Sequence, residues 1–91
     1  MHKQIEFFVT EEFEREFKRL KKKYRSLPED LKLFKEEHSK NPLLGTDLGS
    51  NIRKIRLAIK SKGKGKSGGA RLISYEFYLS VSKRNIVLVT I

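Results

Sequence analysis

From Ile52 the chain alternates: Ile55, Leu57 and Ile59 point one way, and Lys54, Arg56, Ala58 and Lys60 point the other. A period of two belongs to a β-strand, here with one apolar and one basic face. Ten residues of lysine, glycine and serine follow, Lys60 to Gly69, and then Ala70 to Leu79 resumes as a strand. With Leu72, Ile73, Tyr75, Phe77 and Tyr78 this second run is apolar enough on both faces to lie centrally in a sheet. Whatever else the chain does, it must bury one face of this hairpin and leave the basic face uncovered.

Charge is concentrated in the same place. Eight of the twenty-one Lys and Arg lie between Arg53 and Arg71, and no Asp or Glu occurs between Asp47 and Glu76. The other thirteen bases nearly balance the eleven acids, so this segment carries most of the net charge of +10. A local positive field attracts polyanions, and lysines at alternate positions among glycines can reach separate phosphates while the backbone stays close. The competing reading is a solvated hairpin loop kept soluble by its charge.

The 91 residues suffice for a single domain, 1–91, with one modest core. The chain has no cysteine, which excludes a disulfide framework and a thiol nucleophile and fits a reducing cytoplasm. His2 and His38 lack ligand spacing, so neither a metal site nor any other cofactor is expected. No apolar run approaches the roughly 20 residues of a membrane span, and the N-terminus lacks a signal-peptide core. A soluble cytoplasmic protein with no membrane partner is the expectation.

Upstream of the hairpin, Lys3 to Val9 reads as a first strand. Thr10 reads as the N-cap of a helix whose first turn holds Glu11, Glu12 and Glu14. Phe13, Phe17, Leu20 and Tyr24 make one apolar stripe, and Lys18, Arg19 and Lys21 to Lys23 crowd the carboxyl end, either as dipole complements or as an auxiliary phosphate-binding patch. Ser26-Leu27-Pro28-Glu29 has the form of a capping box for a second helix, with Leu27, Leu31, Phe34 and His38 on one face. His38, in the last turn, reads as a dipole complement or rim residue. Leu43 to Asn51 reads as a loop that tucks its leucines under the sheet, and Ile86 to Ile91 as a last strand after a polar turn from Ser80. The order is β-α-α-β-β-β, an α+β fold in which the two helices cover one face of the sheet.

A P-loop is excluded, because the position five before Gly65 holds Lys60 and no helix follows. No carboxylate pair and no Ser/His/Asp set is apparent. RNA cleavage remains possible for a site made only of bases. Arginine binds phosphate oxygens bidentately and stabilises a phosphorane. A lysine crowded by other cations has its ammonium form disfavoured and exchanges protons nearer neutral pH.

The element order, the run Ile52-Arg53-Lys54-Ile55-Arg56-Leu57, and Gly65-Lys66-Ser67-Gly68-Gly69-Ala70-Arg71 before a β-branched and aromatic strand resemble bacterial toxins of the RelE/HigB group. The resemblance covers nearly the whole chain and is specific in the Lys/Gly loop, where length and terminal arginine both match. It implies a RelE-like antiparallel sheet with two N-terminal helices. It also implies a type II toxin-antitoxin system in which the toxin cuts mRNA in the ribosomal A site, beside 16S rRNA, without metal. Its partner would be a cognate antitoxin, often a helix-turn-helix protein of the HigA kind, adding a strand or laying a helix on the basic surface. Carried over residue by residue, Arg71 corresponds to the strand arginine on the scissile phosphate, and Lys62 and Lys64 to the paired loop lysines that move protons. Arg56, Lys60 and Lys66 would grip flanking phosphates, with Lys54 beside them. Tyr75 or Tyr78 would serve as a base-stacking platform if either faces the open side.

Members of that group continue past the last strand with a Tyr-x-Lys-x-Glu-like segment, and the present residues reach Ile91 without it. The expectation is that the segment lies beyond these residues or that catalysis is weakened. Two other readings stay open: a toxin of the ParE branch that binds a protein such as gyrase, and a non-catalytic nucleic-acid-binding module.

Overall fold

A computed structural model describes residues 4–41, 43–62, 69–80 and 82–91. Among these residues, five strands and two helices follow one another: β1 Gln4–Val9, α1 Glu11–Lys23, α2 Leu27–Lys40, β2 Thr46–Gly49, β3 Ile52–Leu57, β4 Ala70–Ser80 and β5 Lys83–Thr90. A 3-10 turn, Lys60–Lys62, follows β3. The fold is α+β, and the strands form one sheet in the order β1-β5-β4-β3-β2.

Two features depart from the sequence reading. The sheet is mixed, because β1 lies parallel to β5, with Phe7 opposite Ile86 and Val9 opposite Leu88. The loop 43–51 contains a short edge strand, β2, antiparallel to β3 through Thr46 and Lys54. Of its leucines only Leu44 packs against the core, whereas Leu43 is 74% exposed and Leu48 52%. Instead the Arg53 guanidinium donates to the carbonyls of Leu43, Leu44 and Gly45 and pins that segment. Gly45 permits this approach, since its φ is +85° and a Cβ there would stand 2.5 Å from the Lys54 carbonyl.

The core lies between the helices and one face of the sheet. Phe13, Leu27, Leu31 and Phe34 from the helices meet Ile55, Leu57, Ile59, Leu72, Ile86 and Leu88. Each such side chain contributes about 1.5–3 kcal/mol by leaving water. Thr10 caps α1, its hydroxyl accepting from the Phe13 amide at 3.0 Å while donating to the Val89 carbonyl at 2.7 Å, so one residue ties the helix start to β5. The capping box at Ser26 does not form. The Ser26 hydroxyl instead donates to Asp30 at 2.6 Å and accepts from the Ser61 amide at 2.9 Å.

His38 also differs from its expected place on a rim. It is 1% exposed, packed against Phe34 and Phe7, with Nδ1 3.2 Å from the Asn41 carbonyl oxygen. Burial pushes its imidazole below the ordinary 6.5, more strongly than the Asn41 carbonyl raises it. No described helix is long and apolar enough to cross a membrane.

Candidate nucleic-acid interface

Antiparallel partners share a face, and β3 and β4 set Arg56 directly opposite Arg71. Ile55 and Leu57, one step away on β3, are buried beneath the helices, so the two arginines stand on the side the helices leave open. Both are exposed, and among the described residues neither makes an ion pair. Two guanidinium groups set opposite each other disfavour the folded state unless an anion lies between them. The arrangement is therefore a ready site for a phosphate, held bidentately by one or both.

Lys54 sits two residues before Arg56 on the same face, opposite Ile73 and Thr46. With Arg56 it lines a hollow of about 300 Å³ against Gly45 and Thr46. Lys62 ends the 3-10 turn and meets Arg71 in a larger hollow of about 440 Å³, walled also by Arg19 and Tyr24 and floored by Ile59. Its ammonium stands 4.8 Å from the centre of the Tyr24 ring. Lys60 departs from the expected cluster. It opens the 3-10 turn and lines a hollow of about 200 Å³ beside Asp30, Leu33 and Glu37 of α2, with Arg56 at the shared rim. Lys64 and Lys66 lie outside the described residues.

The loop is anchored at both described ends. Asp30, 3% exposed, accepts from the Lys60 amide at 3.2 Å through the oxygen that also takes the Ser26 hydroxyl. Ser61 and Ser26 approach within 2.9 Å of one another. This network fixes the turn that carries Lys62 to the N-terminus of α2. At the other end, a Cβ on Gly69 would stand 1.8 Å from the Leu57 carbonyl oxygen, so only glycine lets the chain re-enter the sheet one residue before Ala70. Arg71, the next residue after Ala70, is thereby held in register.

Aromatic rings extend the open face away from the arginines. Tyr75 and Phe77 stack at 6.1 Å and Phe77 and Phe8 at 6.5 Å, with Tyr75 39% and Phe8 41% exposed. Tyr75 thus occupies the platform side. Tyr78 does not: it pairs with Arg84 on the other side and its hydroxyl donates to Glu76 at 2.8 Å, which raises its pKa. Arg84 and Glu76 form a bidentate pair there, and Arg84 lowers the Glu76 carboxyl below its ordinary 4.5.

Tyr24 and Arg19 were not among the expected site residues. Tyr24 ends the apolar stripe of α1 and forms its C-cap, its amide bonded to the Leu20 carbonyl at 2.8 Å, so the ring is half-buried while its edge faces the hollow. A tyrosine at the last turn of an apolar stripe, next to a run of lysines, is the signal that points to it, because tyrosine joins an apolar body to a polar tip. Burial acts to raise its phenol, but a hydrogen bond from Lys23 and the charges of Lys23 and Lys62 outweigh it, and the pKa falls below 10.0. Among the described residues no three His, Asp or Glu side chains converge as metal ligands would. A search against protein-family models matches none.

Proposed function

We propose that the chain is a toxin of the RelE/HigB type, a cytoplasmic endoribonuclease that cuts mRNA on the ribosome and belongs to a type II toxin-antitoxin system. The observation that carries this reading is the pair of Arg56 and Arg71 on the uncovered face, without an ion-pair partner among the described residues, with Arg71 bordering a hollow that Lys62 also lines. In cleavage the ribose 2′-oxygen attacks the adjacent phosphorus, its proton leaves to a base, and the 5′-oxygen departs with a proton. Arg71 stabilises the charge that gathers on the phosphorane oxygens. Lys62 protonates the leaving oxygen, a task that Lys64 would share. Arg56 and Lys54 hold the neighbouring phosphates, Lys66 extends the grip along the strand, and Lys60 borders it only from the separate hollow whose rim Arg56 shares. Side chains supply all of the positive charge the reaction needs, so no metal is required. An antitoxin with an acidic or amphipathic segment would neutralise this face and block it.

Toeprinting of ribosomes programmed with mRNA tests the proposal. Wild-type protein should produce cuts at the A-site codon, and Arg71→Ala should lower their rate about 10²- to 10³-fold, as loss of a fixed oxyanion donor does. Arg71→Lys should not restore it, because an ammonium cannot hold phosphate bidentately. Absence of cuts by the wild-type protein would remove the proposal. A second reading, a ParE-branch toxin that docks a protein such as gyrase, draws on the stacked row in which exposed Phe8 and Tyr75 flank half-buried Phe77. It predicts inhibited supercoiling and intact mRNA.

A further inference from the structure

Tyr24 and Lys62 face one another across the hollow that Arg71 enters, and the endonuclease reading leaves open which group takes the proton from the 2′-oxygen. Arginine cannot, since it does not give up its own proton at any ordinary pH. We propose that Tyr24 is a catalytic residue of this reaction, its phenolate accepting the 2′-hydroxyl proton while the Lys62 ammonium protonates the departing 5′-oxygen. The inference rests on the endonuclease reading and deepens it.

Geometry supports the assignment in three ways. Tyr24 is fixed by its place as the C-cap of α1 and by packing against the core, so its oxygen is not free to wander. Lys23 and Lys62 both stand over its ring, at 5.4 and 4.8 Å from the centre. Two ammonium groups there favour the phenolate. Finally, Lys62 is held by the turn that Asp30 and Ser26 anchor, which keeps acid and base in a defined relation.

The step balances. The 2′-oxygen loses its proton to Tyr24 and forms a bond to phosphorus, the bond from phosphorus to the 5′-oxygen breaks, and that oxygen takes a proton from Lys62. The products are a 2′,3′-cyclic phosphate and a free 5′-hydroxyl. Tyr24 then returns its proton, and Lys62 regains one, by exchange with water.

Tyr24→Phe keeps the ring and removes the proton acceptor. With ribosomes programmed with mRNA, it should slow cleavage about 10²- to 10⁴-fold, the usual worth of a positioned acid or base. Wild-type cleavage should accelerate as pH rises toward the Tyr24 pKa, and the variant should lose that rise. The phenolate absorbance of wild type minus that of Tyr24→Phe isolates this tyrosine from Tyr75 and Tyr78, and Lys62→Met should move its titration to higher pH. A variant that cuts like wild type, or one that is slow yet keeps the same pH rise, overturns the role of Tyr24 and leaves the endonuclease standing. A wild-type protein that cuts nothing overturns both.

Discussion

Arg56 and Arg71 repel one another across the β3 and β4 ladder, and the protein keeps both. Replacing either with glutamine should therefore make the free protein more stable, by about 0.2–1 kcal/mol, while weakening phosphate binding. Urea unfolding of Arg56→Gln measures the first effect, and a destabilised variant would show that the pair is not strained. His38 gives a prediction of opposite kind. Its folded pKa lies below 6.5, so as pH falls beneath that value the unfolded chain takes up the proton first, and stability present above pH 6.5 is lost. Unfolding midpoints near pH 7.5 and 5.5 should differ in wild type, and the difference should shrink in His38→Leu. Glu76 behaves alike at lower pH: its depressed carboxyl adds stability above 4.5 that disappears as pH drops through the folded value. Glu76→Ala leaves Arg84, whose side chain is 5% exposed, without its carboxylate, and should cost about 3 kcal/mol.

At the scale of elements, the 3-10 turn depends on α2 more than on its own three residues. Asp30→Ala removes the acceptor shared by the Lys60 amide and the Ser26 hydroxyl, and should cost about 1–3 kcal/mol in thermal or urea unfolding. The β3 and β4 hairpin was legible in the sequence because alternation sorts Ile55 and Leu57 from Lys54 and Arg56 with no help from the rest of the chain. Both helices were legible through their stripes, and so was the cap at Thr10. The edge strand β2 was not. Its residues Thr46 to Gly49 are all exposed, carry no alternation, and are extended only because β3 offers them free amides and carbonyls. Ser26 shows the same limit: its sequence context promised a local cap, and a partner 35 residues away took the hydroxyl instead. His38 lay on an apolar stripe in plain view, yet its polar residue type suggested the rim, while Tyr24 was legible as part of its stripe but not as a wall of the hollow.

For the molecule as a whole, the helices take one side of the sheet and leave the other to charge and aromatic rings. Placement of Lys54 and Arg56 on one uncovered face followed from period-two reasoning, whereas Arg71 joins them through a strand register that alternation alone does not set. The hollows on either side of Arg56 could not be foreseen, because they depend on where β3 loses its neighbour β2 and becomes an edge.

Joining β1 to β5 through Phe7 and Ile86 has a consequence for biogenesis. Phe7, Phe8 and Val9 leave the ribosome well before β5, their sheet neighbour among the described residues. Until β5 follows, those apolar side chains lack that strand, while the arginine hairpin already has both of its arms. The nascent chain thus stays sticky along this edge until β5 emerges, and that interval is the natural moment for a chaperone to shield it.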